Sequence, residues 1–320
     1  MSETVQSSPE GCSDPLDVSI VILTFNRERH LKHLLQDLAA NGLDTVQTIV
    51  VNNGENDSVE FLNRDFPYVE LIQTKENLGV AARNLGFKKA RSPYVVTLDD
   101  DIYGLTSQAV LRMVRRFERK PRVAAICLRV VEEKSGRTVN WIHRRPVEKT
   151  QYLRFLTYEI TEGAVAIRKS AVGSDSLYPD EFFISHEGPD LAYRLIKKNY
   201  LVEYNGKLAL THTFAKAGRP SWRKFYYDTR NSYWLVARHL PVFYGGKQLL
   251  LQTGLMLILA ARANMFRWWF KGTLDGLKGL PKQLQSRRPL GPEHMKLLRS
   301  IDHKRAGVFS RLYRHIVPPD

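Results

Sequence analysis

The sequence predicts an α/β fold in which a mixed, mostly parallel sheet is flanked by helices and followed by a C-terminal helical extension. Three observations predict it. Short β-branched runs alternate with helical patterns from Val18 to about Thr213, as in βαβ units. Polar clusters follow four of the predicted strands. Beyond residue 218 the pattern becomes helical, and the segment from Arg262 onward carries 13 Lys/Arg against 4 Asp/Glu in a chain of net charge +15.

The first predicted strand is SIVILT, residues 19–24, and an amphipathic helix follows it. This helix carries leucines at helical spacing and is predicted to end near Asn41-Gly42. A later helix, marked by Val110, Val114 and Phe117, leads into the strand VAAICLRV. The helix leucines are Leu31, Leu34, Leu35 and Leu38, and the remaining strands are predicted at residues 48–53, 69–74 and 94–101.

The extension begins with a helical stripe from Trp222 to Leu240, which Pro241 ends. An uncharged, Leu-rich run of 14 residues follows at 248–261, and this run is too short to span a bilayer. The basic and aromatic segment MFRWWFKG comes next. Two alternatives stay open: these helices pack on the α/β unit, or they lie on an anionic membrane surface.

Residues 1–17 are polar and contain no signal peptide or apolar span, so we expect a disordered tail. The two cysteines, Cys12 and Cys127, provide no disulfide framework and favour a reducing compartment. We therefore expect a cytoplasmic protein, with peripheral contact to the cytoplasmic face of a membrane as the open alternative.

Ligands of open α/β sheets bind beyond the carboxyl ends of the strands, where loops open and helix N-termini point. Polar clusters fall at four such ends, so we expect one site built from four loops. These clusters are Thr24-Phe25-Asn26-Arg27, Asn52-Asn53-Gly54, Asn77-Leu78-Gly79 and Asp99-Asp100-Asp101.

The three acids form an Asp-x-Asp motif at the end of the fourth predicted strand. In an extended segment, residues two apart face the same side, so we expect Asp99 and Asp101 to share one face and Asp100 to point elsewhere. Two carboxylates leaving a strand can hold Mn²⁺ or Mg²⁺, which bridges to phosphate oxygens. A solvated acidic turn is the alternative.

Six ordered stretches between Val18 and Leu240 resemble the family-2 glycosyltransferases, and they are most similar to bacterial enzymes that add rhamnose or galactofuranose. The stretches are VSIVILTFNRERHLKHLLQDL, TIVVNNGENDS, NLGVAARNLGFKKARSPYVVTLDDD, TEGAVAIRKSAV, YPDEFFISHEGPDLAYRL and ALTHTFAKAGRPSWRKFYYDTRN. The resemblance implies a GT-A catalytic domain over residues 18–218, with a basic extension over 219–320. It also implies a nucleoside-diphosphate sugar donor, Mn²⁺ or Mg²⁺, inversion at the anomeric carbon, and a polysaccharide or lipid-linked acceptor in cell-surface glycan synthesis.

The resemblance also implies roles for individual residues. It implies a nucleoside pocket lined by Thr24, Asn26, Arg27, Asn52 and Asn53, and a ribose and diphosphate site with Asn77, Gly79, Arg83, Asp99 and Asp100. It implies a metal site with Asp99, Asp101 as direct ligand, and His212. Purely structural alternatives stay open: the asparagines end a strand in a turn, Gly79 serves helix packing, Arg83 is a surface cation, and His212 is a hydrogen-bonded core residue.

The general base is expected in HEGPDL, where the family often carries EDxDL and Gly188 stands in place of the first Asp. Pro189 suits a first helical turn, and the helix dipole favours an ionised Glu187 just before it. Glu187 is therefore the first candidate for the base and Asp190 the second. Alternatively, Glu187 caps the helix, and Asp190 caps it or binds an arginine.

Two other functions compete. A sugar nucleotidyltransferase also uses an α/β sheet and a carboxylate-bound metal, but TFNRERH follows the first strand where a Gly-rich phosphate loop would be expected. A non-catalytic basic module could bind a membrane or nucleic acid through the extension. The sequence carries no nucleic-acid motif, so no nucleic-acid partner is expected.

Overall fold

The computed structural model describes residues 16–213 and 222–303, and within these ranges nine strands form one mixed sheet. The strands are β1 (Val18–Thr24), β2 (Gln47–Asn52), β3 (Glu70–Gln73), β4 (Tyr94–Asp99), β5 (Ile102–Tyr103), β6 (Val123–Glu132), β7 (Arg154–Thr157), β8 (Ala164–Arg168) and β9 (Leu201–His212). The helices are α1 (Glu28–Ala40), α2 (Leu62–Asp65), α3 (Arg83–Lys89), α4 (Ser107–Arg119), α5 (Val147–Thr150), α6 (Lys169–Val172), α7 (Glu187–Lys197), α8 (Thr229–His239), α9 (Val242–Arg262), α10 (Phe266–Gln285) and α11 (Pro292–Asp302).

The strand order is β3-β2-β1-β4-β8-β6-β9-β5, with β7 paired to β9. The first four strands are parallel, as the alternating pattern predicts. From β8 onward antiparallel pairs enter, although β6 and β9 remain parallel. The parallel register places the ends of β1, β2 and β4 at one edge, because Thr24 pairs with Asn52 and Leu23 with Asp99.

Successive residues of β1 face opposite sides of the sheet, so two helical layers are needed to cover it. Helix α1 buries its predicted leucine stripe on the side of Ile20 and Ile22. Helix α3 lies on the side of Val21, and a Cβ at Gly86 would stand 2.5 Å from Val21 Cγ1. Glycine therefore allows α3 to approach the sheet closely.

The predicted strands and helices are confirmed to within two residues at most ends. The fourth strand ends at Asp99, two residues before the predicted Asp101, and this difference changes the geometry of the acid motif. The predicted tail lies outside the described residues apart from Leu16 and Asp17, and so does the predicted boundary at 218/219. Cys127 is buried as a free thiol.

The helical extension helps to form the core of the α/β unit. Leu235 and Leu240 after the gap, and Leu290 and Leu298 near α11, belong to the same buried cluster as Leu191 of α7. A π-helical turn over Lys224–Asp228 precedes α8. Helix α8 ends at His239, two residues before Pro241, which was predicted to end it. The extension is therefore joined to the sheet by apolar packing.

Helix α9 corrects one expectation. The 14-residue uncharged run lies inside a helix of 21 residues, because the helix also includes residues 242–247 before the run and Arg262 after it. By length and composition alone this helix could cross a membrane, and only 17% of its most apolar window is buried. The length of the uncharged run therefore does not by itself exclude a membrane-spanning helix.

Candidate functional site

Three strand ends place Thr24, Asn52 and Asp99 side by side at one edge of the sheet. The Thr24 hydroxyl donates a 2.7 Å hydrogen bond to Asp100 Oδ2, so it fixes the acid motif. Asn26 lies in the left-handed region at φ 53°, and its Oδ1 accepts a hydrogen bond from the Glu55 amide at 2.7 Å. Thr24 and Asn26 therefore shape the loops at this edge.

The acid motif forms the turn between β4 and β5. Arg27 Nη1 lies 3.2 Å from Asp100 Oδ1 and 2.5 Å from Asp101 Oδ2. The expectation that Asp100 points away from Asp101 was wrong, because the strand ends at Asp99 and the turn directs both later acids to one guanidinium. Burial raises the pKa of Asp100 to about 6, although Arg27 opposes the rise.

The structure brings Asp101 and His212 together. The β5 to β9 pairing sets Ile102 opposite His212, and His212 Nε2 lies 3.5 Å from Asp101 Oδ1. Among the described residues, no three His, Cys, Asp or Glu side chains are grouped to enclose a metal. Two protein ligands still fit a divalent ion, because Mg²⁺ and similar ions keep waters and take phosphate oxygens from the substrate.

The side-chain amides of Asn52 and Asn53 form hydrogen bonds with other groups of the protein. Asn52 Nδ2 donates to the Glu55 carbonyl at 2.7 Å. Asn53 Nδ2 donates to Asn77 Oδ1 at 2.9 Å and to the Gly79 carbonyl at 3.0 Å. The two asparagines therefore tie together the loops after β2 and β3, which agrees with the alternative that they organise turns.

Gly79 connects the loop after β3 to the loop before α7. Its φ is +64°, and a Cβ at this position would stand 2.0 Å from the Phe183 carbonyl oxygen. The amide of Val80 donates to that same oxygen at 2.7 Å. A glycine is thus required by close backbone approach between two loops.

Arg83 is buried, so the alternative of a surface cation was wrong. One of its Nη atoms contacts Asp99, and its Nε has no hydrogen-bond partner among the described residues. Its positive charge also acts on Glu162 and Glu187. Arg83 is therefore the point at which the carboxyl end of β4 meets the start of α7.

Glu187 begins α7 and is only 3% exposed. Its Oε2 has no hydrogen-bond partner among the described residues. Burial, and then the neighbouring Glu162, raise the pKa of Glu187 well above its usual range. The protonated form of Glu187 is therefore favoured, which opposes the helix-dipole argument made from sequence.

Glu162, just before β8, is the residue that sequence reasoning missed. Its Oε1 accepts a 3.0 Å hydrogen bond from the Gly188 amide, and a Cβ at Gly188 would stand 2.5 Å from that oxygen. Burial raises the pKa of Glu162 to about 7. The carboxylate therefore fills the space left by the glycine that departs from the family pattern.

The local sequence contained a partial signal for Glu162. It precedes Gly163, where a Cβ would stand 2.2 Å from Asp99 Cγ, so this segment must pass directly against the acid motif. The glycine next to an acid in TEGA was therefore a local signal that this segment packs closely against another part of the chain. The hydrogen bond from Glu162 to the start of α7 depends on tertiary structure.

Asp190 lies in a separate ion-pair network, as the arginine-binding alternative held. It accepts hydrogen bonds from Arg194 Nε at 2.8 Å and His239 Nε2 at 2.7 Å, and Arg238 lies 3.4 Å away. Although burial opposes the change, His239, Arg194 and Arg238 lower the pKa of Asp190 below its usual range. The Asp190 carboxylate is thus held by these basic side chains, and it is not brought to Arg83.

Helix α8 holds the loop before α7. Asn231 Nδ2 donates to the carbonyls of Phe182, Ile184 and Ser185 at 3.0, 2.8 and 2.8 Å. This loop is strained, because Phe183, Ser185 and His186 have φ values of 61°, 77° and 70°. Asn231 is a second positioning residue that the sequence did not single out, although it ends the last of the six quoted stretches.

Comparison with known proteins shows where the chain is similar to others. Residues 19–174 match the family described as Glycosyl transferase family 2. An uncharacterized glycosyltransferase of Bacillus subtilis (strain 168), YwdF, is 32% identical over 148 residues. These residues make up 45% of this chain and 52% of YwdF, so the chain spans about half the length of that relative.

Two solved structures share the fold over most of this chain. TarS 1-349 of S. aureus, in complex with UDP-GlcNAc, has a TM-score of 0.57 at 16% identity and covers 90% of this chain and 87% of its own. The mannosyltransferase PcManGT from Pyrobaculum calidifontis, in complex with GDP-Man and Mn²⁺, has a TM-score of 0.53 at 14% identity, with 90% and 79% covered. The predicted GT-A fold is confirmed.

Proposed function

Because residues 19–174 of this chain are a glycosyl transferase family 2 domain, we propose that the protein is a metal-dependent, inverting glycosyltransferase. It moves a sugar from a nucleoside-diphosphate donor to a hydroxyl group of a polysaccharide or lipid-linked acceptor. The observation that carries the proposal is buried Arg83, which contacts Asp99 and whose charge acts on Glu162 and Glu187. Donor-side and acceptor-side acids thus belong to one cluster.

The donor binds at the loops that follow β1, β2, β3 and β4. TarS and PcManGT, which share this fold, were solved with UDP-GlcNAc and GDP-Man, and this supports a nucleotide-sugar donor. Asn77 and Phe25 are exposed at these loops and are available to the nucleoside. Asn52 and Asn53 keep the loops in place, and Arg83 balances the charge of Asp99 beside the diphosphate.

Asp101 and His212 would hold Mn²⁺ or Mg²⁺. The ion supplies Lewis-acid stabilisation of the charge that develops on the departing diphosphate. Mn²⁺ in the PcManGT complex supports this assignment. Arg27 contacts both Asp100 and Asp101, so it orients the carboxyl groups and adds positive charge at the same place.

We assign the general base to Glu162, with Glu187 as its protonated neighbour. A general base must be ionised and must reach the acceptor hydroxyl. Glu162 is partly exposed, whereas Glu187 is buried and favours its protonated form. The acceptor oxygen bonds to the anomeric carbon, the bond from that carbon to the diphosphate breaks, and the hydroxyl proton passes to Glu162.

Product analysis tests the reaction class. The full chain is incubated with a panel of nucleoside-diphosphate sugars, Mn²⁺ or Mg²⁺, and lipid-linked or polysaccharide acceptors. We expect free nucleoside diphosphate to accumulate with glycosylated acceptor. In a parallel incubation with a sugar 1-phosphate and a nucleoside triphosphate, a sugar nucleotidyltransferase would form pyrophosphate and a nucleoside-diphosphate sugar, and that product would overturn the proposal.

The variant Asp101→Ala tests the metal site. We expect turnover to fall by about a hundredfold or more, because Lewis-acid stabilisation supplies several kcal/mol. The control is Asp44→Ala, which removes an exposed carboxylate away from the site. Near-normal transfer by Asp101→Ala with added Mn²⁺ or Mg²⁺ would contradict the assignment.

A further inference from the structure

Helices α9 and α10 expose large apolar side chains along one stripe each. On α9 the stripe includes Phe243, Leu250 and Ile258, which are 95%, 76% and 54% exposed. On α10 it includes Phe266, Phe270 and Leu277, which are also exposed. Spacings of four, seven and eight residues place each set on one helix face. Large apolar side chains exposed along one helix face mark an interaction surface.

A basic stripe runs directly beside the apolar stripe of α10. Arg267, Lys271, Lys278 and Lys282 are all exposed. Asp275 is the one acid within α10, and its Oδ2 accepts a 2.8 Å hydrogen bond from the Tyr226 hydroxyl. The exposed face of α10 is therefore apolar and strongly positive, which is the composition of a helix that lies in a membrane interface.

We propose that α9 and α10 form a docking surface for a membrane rich in anionic lipids. The apolar stripe enters the boundary between headgroups and acyl chains, and the basic stripe contacts the lipid phosphates. Charge complementarity selects this occupant. A second copy of the chain docked through the same face would place two basic stripes against each other.

Contacts within the protein indicate that α9 lies on the membrane and does not span it. Trp269 Nε1 of α10 donates a 3.1 Å hydrogen bond to the Thr253 carbonyl of α9. Met256 and Ala260 of α9 are buried against Phe225, which precedes α8. A spanning α9 would have to break these contacts, whereas an in-plane α9 keeps them.

The experiment is sedimentation of the full chain with vesicles of phosphatidylcholine alone or of phosphatidylcholine mixed equally with phosphatidylglycerol. We expect binding to the anionic vesicles that falls with added salt, and much weaker binding to the neutral ones. An alkaline carbonate wash should release the protein. Retention after the wash would overturn the in-plane arrangement, and equal binding to both vesicles would overturn the charge argument.

Two matched sets of variants locate the surface. Arg267→Gln, Lys271→Gln, Lys278→Gln and Lys282→Gln together should weaken binding by at least about a hundredfold, since each cation near an anionic surface contributes about fivefold. The control removes the same charge from exposed positions of α4 and from Lys120, the residue that follows it. It combines Arg112→Gln, Arg115→Gln, Arg119→Gln and Lys120→Gln and should leave binding unchanged. Equal loss in both sets would contradict a surface on α10.

The apolar stripe has its own test. Phe266→Ser with Phe270→Ser should weaken vesicle binding by at least about tenfold, because each loses apolar area buried in the interface. Tyr68→Ser, which changes an exposed aromatic residue after α2, is the control. If the double variant binds vesicles like the wild type but converts a dimer to a monomer in light scattering, the occupant is a second copy and the proposal fails. The readouts need no sugar transfer, so they are independent of the proposed activity.

Discussion

Arg83 is buried beside carboxyl groups that come from three separate segments of the chain. It contacts Asp99, and its charge acts on Glu162 and Glu187. A buried guanidinium requires nearby negative charge, because an isolated ion would lose its hydration without compensation. The cluster therefore favours at least one ionised carboxylate beside Arg83, while Glu187 favours its protonated form.

Replacement of Glu162 tests the base. Glu162→Gln keeps the shape but cannot take a proton, so we expect kcat to fall by about 10²- to 10⁴-fold with little change in nucleotide binding. Glu187→Gln should cost less, because Glu187 is already protonated in the proposed mechanism. Steady-state kinetics with both variants decides the matter, and a larger loss in Glu187→Gln would return the role to that residue.

The pH profile gives an independent check on Glu162. Its pKa is raised to about 7 in the folded protein, so the ionised base becomes available as pH rises through about 7, and the rate should rise with it. The free energy of unfolding changes with pH in the opposite direction to the rate. The folded state binds more protons than the unfolded chain between the usual carboxyl pKa and about 7, so the free energy of unfolding falls as pH rises across that window. Glu162→Gln should show a smaller fall in chemical denaturation.

At the scale of elements, the start of α7 depends on α8. The loop before α7 contains three non-glycine residues at positive φ, and Asn231 of α8 satisfies three of the carbonyls in that loop. Arg230 Nη2 adds hydrogen bonds to the carbonyls of Glu181 and Phe182 at 2.8 and 2.9 Å. The strained loop is thus maintained by hydrogen bonds from the extension.

Asn231→Ala should loosen this loop. It removes the side-chain donor to the Ile184 and Ser185 carbonyls and one of two donors to the Phe182 carbonyl, so we expect the free energy of unfolding to fall by about 1–3 kcal/mol and kcat to fall as well. Thermal unfolding and steady-state kinetics measure the two effects. Asn63→Ala, at an exposed position of α2, should stay within about 0.5 kcal/mol of the wild type. Unchanged stability and kcat in Asn231→Ala would show that α8 does not position α7.

The sequence predicted the parallel half of the sheet because hydrophobic period and strand-end polarity are local signals. The family resemblance implied that Asp101 and His212 act together, and the structure brings the two side chains close, although their role as metal ligands stays a prediction. The sequence could not predict which acid fills the space beside Gly188, because the hydrogen bond from Gly188 to Glu162 joins residues 26 apart through the fold. It also could not show that Asp190 forms ion pairs with Arg194 of α7 and Arg238 of α8.

At the scale of the whole molecule, the extension has two roles on different surfaces. Its first and last described helices complete the core of the α/β unit, through residues such as Leu235 and Leu298. Its middle helices expose the apolar and basic stripes. Deletion of residues 262–320 would remove both at once, so loss of membrane binding in such a deletion would not separate docking from folding.

Two Leu→Ala variants separate these roles. Leu298 of α11 is fully buried in the core cluster, so Leu298→Ala should lower the free energy of unfolding by about 2–5 kcal/mol. Leu284 of α10 is 50% exposed, so Leu284→Ala should change it by no more than about 0.5 kcal/mol. Chemical denaturation of both variants without vesicles measures the difference. Equal stability of the two variants would mean that α11 does not complete the core, and the extension would then be separable from the α/β unit.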